Sequence, residues 1–348
     1  MSSVDSSLCL PTFLRRLADP GIKTVLLCGC GGGFDFVHGL LLYPELRRLG
    51  KCVVIGSYSF GRPERIGGET QVIFKRSGVV AKRVTAASVP PADYGPEVHV
   101  CSFLDRKFPA DAPHWVYAYY AREFTVPLLR QLYQQFIREH TVDAVILVDG
   151  GSDSLMAGDE EGLGDPIEDA VSVTTVASLE GLQRKLLIIV GLGADRFNHV
   201  SDVASLRAVA ELTGMGGFLG AVGIEPTCPG YGFYRECLEH IEHAHGVHGF
   251  RSVISGAIRS SVEGSFGRES VPPALKERVS KGGIFLWPLM AMLWAFDIDT
   301  VARRSRIAKW ICECQTVAEC YAALEDGRCL LGSLREVEDF PRHEEMRW

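Results

Sequence analysis

Residues 141–170 read TVDAVILVDGGSDSLMAGDEEGLGDPIEDA, and this stretch decides the fold class. Val145, Ile146, Leu147 and Val148 form a short apolar, β-branched run, the pattern of a strand buried on both faces. The run stops at Asp149-Gly150-Gly151-Ser152-Asp153-Ser154. A carboxylate at the carboxyl end of a buried strand, followed by two glycines, is where open α/β sheets place their ligand chemistry. A second acidic loop follows, with Asp159, Glu160 and Glu161 between glycines. Asp165 then reads as a helix N-cap, Pro166 as the first helical residue and Glu168 as the partner in a capping box. On that reading, capping and the helix dipole account for Asp165, Glu168 and Asp169.

Outward from this strand the same alternation repeats. A strand over 24–28 enters Gly29-Cys30-Gly31-Gly32-Gly33, and a helix is expected over 35–49. A second strand is expected over 52–55, a third over 98–101, a long helix over 124–140 and a further strand over 185–190. Weaker strand patterns lie at 218–222 and 252–254, and a helical tail is expected over 300–324 with an exposed charged end at 336–348. Residues 62–96, rich in Gly, Pro and polar side chains, read as an excursion, a hairpin by their alternation. Apolar strands alternating with helices predict an α/β fold: a three-layer α/β/α, Rossmann-like architecture with a mostly parallel sheet and helices on both faces. No hinge-like linker or internal repeat divides the chain, so 1–348 is expected to be a single domain with 62–96 as an embellishment. The strand over 24–28 and the strand over 145–148 are expected to be neighbours, because sheets of this class reverse direction beside the first strand.

Composition bounds the function. The 348 residues are 47% hydrophobic and 23% charged, which is ordinary for a globular protein. The net charge of −7, from 36 basic and 43 acidic residues without single-sign blocks, argues against nucleic acid or an anionic membrane as partner. The opening residues lack a basic and apolar leader pattern, and the apolar run at 283–296 is too short to span a bilayer and contains Pro288. A cytoplasmic location is the expectation. It agrees with 11 scattered cysteines that show CxC pairs but no zinc-like spacing and read mainly as buried thiols. Homo-oligomer formation is compatible with this composition.

Three constellations carry the chemistry. Gly31, Gly32 and Gly33 sit between a strand and a helix, where backbone amides can hold a phosphate or carboxylate. The dinucleotide fingerprint is not met, since Phe34 stands at its last glycine and the second strand ends in Gly56-Ser57 rather than an acid. NAD is therefore disfavoured, and a P-loop is absent. Asp149 and Asp153 are candidate catalytic groups and metal ligands, with Asp159 as a third ligand, Ser152 and Ser154 assisting substrate, and Mg²⁺ or Mn²⁺ as the fitting divalent metal. After the strand over 185–190, Asp195, Arg196 and His199 offer an acid–base group beside an anion clamp: His199 for proton transfer, Arg196 for a second carboxylate or phosphate. Asp35 and His38, one turn apart after the glycines, form a further pair, with Asp35 among the substrate-binding candidates. The histidines at 240, 243, 245 and 248 lack a metal-binding order and read as a solvated helix end. Residues 255–267 read as a small-residue loop.

GCGGGFD at 29–35, the stretch at 147–170 and the ending at 302–308 together resemble the family known as domain of unknown function 1152, over nearly the whole chain. The resemblance implies no activity and no catalytic residue. From the residues themselves, an enzyme acting on a small polar, anionic metabolite is the leading expectation. It is of hydrolase or lyase type, with or without a divalent metal. The alternatives are a non-catalytic nucleotide or metabolite sensor using the same crevice, and a structural interaction protein.

Overall fold

A computed structural model describes residues 11–245, 251–276, 283–336 and 340. Among the described residues nine strands form one sheet: β1 (Thr24–Gly29), β2 (Cys52–Ser59), β3 (Gly67–Arg76), β4 (Val79–Val89), β5 (Trp115–Tyr120), β6 (Ala144–Gly150), β7 (Arg184–Val190), β8 (Phe218–Gly223) and β9 (Met292–Asp297). Their order is β3-β4-β5-β2-β1-β6-β7-β9-β8. The five central strands β5, β2, β1, β6 and β7 run parallel, and antiparallel strands close both flanks.

The alternation of side chains along the central strands builds two separate cores. On β6, Val145 and Leu147 enter one core, and Ala144, Ile146 and Val148 enter the other. β1 divides the same way, with Leu26 and Cys28 opposite Val25 and Leu27. A strand with both faces apolar needs cover on both sides. The helices Val126–His140, Pro166–Ala177 and Asp202–Gly214 cover the first face through Leu132, Val171 and Leu212. The helices Pro96–Lys107 and Pro229–His245 cover the second through Cys101 and Tyr234. The three-layer arrangement follows from this division.

β1 pairs directly with β6 in parallel, Gly29 opposite Val148, as the sequence predicts. From β1 the chain moves to β2 on one side, and later returns through β6 on the other. The carboxyl ends of β1 and β6 therefore splay apart into a crevice.

Several local expectations are corrected. Residues 98–101 lie inside the helix Pro96–Lys107; Val98, Cys101 and Leu104 are spaced by three residues, and the short alternation within that face imitates a strand. The third parallel strand is instead the aromatic Trp115–Tyr120. The 62–96 hairpin forms, but it extends the sheet through β4 and β5 rather than standing apart. Residues 252–254 begin a helix, Val253–Val262, whose N-cap Ser252 accepts a hydrogen bond from the Ser255 amide, so most of the expected 255–267 loop is helical. The expected 35–49 helix is broken into Asp35–His38, a short 3₁₀ turn at Gly39–Leu41 and Tyr43–Arg48, with Pro44 at the start of the last piece. The apolar run at 283–296 contributes β9 and is core as read. No described helix is long and apolar enough to cross a membrane. The ten cysteines among the described residues are free thiols, and of these Cys52 and Cys329 are exposed rather than buried.

Candidate functional site

The crevice between β1 and β6 is held together by one side chain. Asp35 accepts the Gly31 N–H at 2.8 Å through one carboxylate oxygen and the Gly150 N–H at 3.1 Å through the other. It thereby ties the glycine loop after β1 to the Asp-Gly-Gly turn after β6. Both turns need glycine for closeness: a Cβ on Gly31 would lie 2.6 Å from Asp169 Oδ1, and one on Gly150 would lie 2.3 Å from His38 Nδ1. Asp35 therefore occupies the Gly31 amide, one of the three glycine-loop amides that the sequence assigned to a ligand.

The resulting cleft has a volume of about 310 Å³. Seven acidic side chains line it: Asp35, Asp149, Asp153, Asp165, Glu168, Asp169 and Asp195. Gly31, Gly32 and Gly33 form its floor on one side, and Phe60 and His38 also face it. Asp149, at the end of β6, accepts a short hydrogen bond from the Ser154 hydroxyl. Asp153 Oδ2 accepts the Asp165 N–H at 3.1 Å, and so caps the helix Pro166–Ala177 from another segment. Asp195 Oδ2 accepts the Ser152 N–H at 2.6 Å. One oxygen each from Asp35, Asp149 and Asp169 lies within 4.8 Å of the others, a set that can hold a metal ion.

Electrostatically this is a concentration of negative charge with little compensation. Among the described residues no lysine or arginine forms an ion pair with Asp35, Asp149, Asp153, Asp169 or Asp195; Asp35 has only His38 Nδ1, at 3.6 Å. Glu168 alone has a guanidinium, Arg122 at 3.3 Å on the rim, and that guanidinium stacks over Phe60. Burial holds the Asp149 carboxyl well above the usual range, with Asp153, Asp35 and Asp195 adding to the shift. Asp169 and Asp195 are raised in the same direction, again first by burial. Burial pushes Asp153 up to about 7, and burial with Asp165 pushes Glu168 up to about 7.

A pH dependence of stability follows. Asp153 and Glu168 titrate near 4 in an unfolded chain and at about 7 in the folded one, and Asp149, Asp169 and Asp195 are shifted in the same direction, so the folded state binds more protons in between. Their contribution is fully present below the unfolded value and is lost as pH rises through the folded one. The melting temperature of the cation-free chain is expected to fall from about pH 5 to about pH 8. The opposing shift at Asp143, lowered by the Thr24 and Lys23 amides, acts at lower pH, outside that window. Thermal melts in a chelating buffer decide it, and a melting temperature that climbs over the same range would contradict this account.

The structure brings together some of the sequence-predicted residues and separates others. Gly31, Gly32, Gly33, Asp35, Asp149 and Asp153 converge on the cleft. Ser152 and Ser154 do not line it: Ser154 orients Asp149, and the Ser152 hydroxyl meets Ser205 at 2.9 Å. Arg196 is committed to an ion pair with Asp202 and lies over Phe285, so it does not hold a substrate carboxylate opposite Asp149. Exposed His199 lines, with Arg196, a neighbouring wider cleft of about 810 Å³ that meets the first at Asn198. Asp159 is paired with Arg306 at 3.3 Å and Arg335 at 3.1 Å, away from the three metal-competent aspartates. His240 docks against Ser102 at 2.7 Å instead of ending the helix in solvent; His243 is exposed, and His248 lies outside the described residues.

Sequence reasoning missed Asp169 and Glu168, because a capping role explained them sufficiently. No local signal at the helix start set them apart from caps. With Asp153 supplying the cap from outside, neither carboxylate is used at the helix terminus. His38 takes the place expected for His199 as the histidine of the cleft, and its Nε2 lies 3.0 Å from the Ser255 hydroxyl.

The family model described as Protein of unknown function (DUF1152) matches residues 123–331, more than half of the chain, and the chain belongs to that family. The match contains β6, β7 and the acidic loops, and begins after the glycine loop. No curated protein and no solved structure matches the chain.

Proposed function

We propose that this DUF1152 protein is an enzyme that acts on a small polar metabolite, by hydrolysis or elimination, in the cleft between β1 and β6. One observation carries the reading: seven acidic side chains and a histidine converge on a single cleft at the sheet's switch point, most without a cationic partner. A structural protein has no use for so many buried acidic groups without cationic partners, which cost stability wherever they are not needed for chemistry. Asp153 and His38 are the proton-transfer groups, and Asp149 anchors the reacting end of the substrate. The negative lining makes an ammonium-bearing substrate a direct fit. An anionic one binds together with a counter-charge.

The test is a thermal-shift screen of small carboxylates, phosphates and amines, with and without Mg²⁺ or Mn²⁺. A true ligand at about 100 times its dissociation constant stabilises the chain by about 2.7 kcal/mol. Each compound that raises the melting temperature is then incubated with the protein and followed by mass spectrometry. Turnover supports the enzyme. A hit recovered unchanged favours a sensor, and the absence of any hit counts against both.

A further inference from the structure

The geometry points to a bound divalent cation of the Mg²⁺ or Mn²⁺ class, held by the carboxylates of Asp35, Asp149 and Asp169. The inference rests on the proposed function for its purpose and supplies that site's cofactor. Three separate segments deliver these ligands: the start of the short helix Asp35–His38 after β1, the end of β6 and the first turn of the helix Pro166–Ala177. One oxygen of each lies within 4.8 Å of the other two. Oxygens on opposite sides of an octahedral shell with bonds of about 2.1 Å stand about 4.2 Å apart, so the cluster closes on a hard cation with small adjustment.

Crowded carboxylates alone do not make a site, because they can share protons instead. Two buried atoms that make no hydrogen bond say more. Asp169, only 4% exposed, has an Oδ1 that accepts no hydrogen bond, and that oxygen is the one that faces Gly31 across the cleft. His38, 1% exposed and outside the acidic cluster, has an Nδ1 that makes no hydrogen bond and has only the 3.6 Å contact with Asp35 Oδ1. A buried acceptor without a partner is costly, and the cost persists unless a ligand meets it. By contrast, the other oxygens of the set are oriented by the protein: Asp35 by the Gly31 and Gly150 amides, Asp149 by the Ser154 hydroxyl. Fixing ligand oxygens through such outer partners is how metal sites set their geometry.

Ligand chemistry selects the cation. All three donors are carboxylate oxygens, which suit Mg²⁺, Mn²⁺ or Ca²⁺ rather than zinc or copper. The nearest thiol, Cys30, turns its Sγ toward the Asp169 backbone carbonyl at 3.9 Å, and burial raises its pKa well above the ordinary value. It is not a fourth ligand.

The experiment is a Mn²⁺ titration of the full chain near neutral pH, with free Mn²⁺ read by electron paramagnetic resonance. Saturable binding of one Mn²⁺ per chain, displaced by Mg²⁺, is expected. Asp169→Asn and Asp35→Asn should each weaken it at least tenfold. Asp159→Asn, which removes only a partner of Arg306 and Arg335, should leave it unchanged. Circular dichroism of each variant shows whether it is folded, and the wild-type titration decides the matter if one is not. No saturable binding by the wild type overturns the proposal. So does equal binding by folded Asp169→Asn, or loss of binding in Asp159→Asn alone. A chain that binds no Mn²⁺ but turns over a metabolite sinks the cation and spares the enzyme; the opposite result sinks the enzyme and spares the cation.

Discussion

Asp149→Asn is expected to abolish ligand binding and turnover in the cleft while leaving the fold intact and the melting temperature unchanged or higher. Asparagine keeps the shape and retains an oxygen that can accept the Ser154 hydroxyl, so the turn after β6 survives. What disappears is a charge buried beside Asp153, Asp35 and Asp195. In the cation-free chain that charge is a burden, because burial and like-charge neighbours both disfavour it. Its removal should stabilise by on the order of 1 kcal/mol, the sign common when a functional group sits at the expense of stability. Cation and ligand affinity should fall by about two orders of magnitude, since ligand charge count is a main determinant of affinity at oxygen sites. Melting curves with and without Mn²⁺ and screening hits measure both quantities on one sample. Normal binding with a lowered melting temperature would make Asp149 a turn-former, and the site assignment would fail with it.

How much of this was readable in the sequence depends on the range of the interaction involved. The parallel centre was legible because Val145, Ile146, Leu147 and Val148 carry their own signal: a run apolar at every position must be covered on both faces. The adjacency of β1 and β6 followed from the same class rule and holds in the register, Gly29 opposite Val148. Asp149 and Asp153 were singled out because strand ends are where such sheets bind ligands, and both line the cleft. Asp169 was passed over because a local rule, helix capping, explained it, while the cap comes from Asp153, 12 residues before Asp165 in the chain. The error at Arg196 and His199 has the same root. Both follow β7 as expected, but the 3₁₀ turn Ala194–Asn198 and the left-handed backbone at His199 swing them outward, where Asp202 captures the arginine. Sequence order places residues near a strand end. Side-chain direction beyond it is set by turns and by partners that no local pattern names.

The central strand also allows stability to be separated from chemistry. Leu147 is fully buried, two residues before Asp149 and on the same face of β6, in register with Cys28 of β1 and Leu187 of β7. Leu147→Ala removes its side chain from the core shared with the helices Val126–His140 and Pro166–Ala177. Parallel strands on both sides hold the backbone, so the neighbours cannot collapse far into the space. The loss is expected to be about 3 kcal/mol, within the usual 2–5 for a buried leucine and a large part of a total stability of about 5–15. In urea, the midpoint should fall with the slope unchanged, because the surface exposed on unfolding is nearly the same. Asp149 should nevertheless stay in place, since its position is fixed by the β6 ladder with β7 and by Ser154 rather than by the leucine. Mn²⁺ affinity of the folded variant is therefore expected within a few-fold of wild type. The two substitutions, two residues apart on one strand, should act in opposite ways: Asp149→Asn loses binding and keeps stability, and Leu147→Ala loses stability and keeps binding. If Leu147→Ala also lost Mn²⁺ binding while still folded, the carboxylate cluster would depend on core packing, and its preorganisation by hydrogen bonds would be refuted.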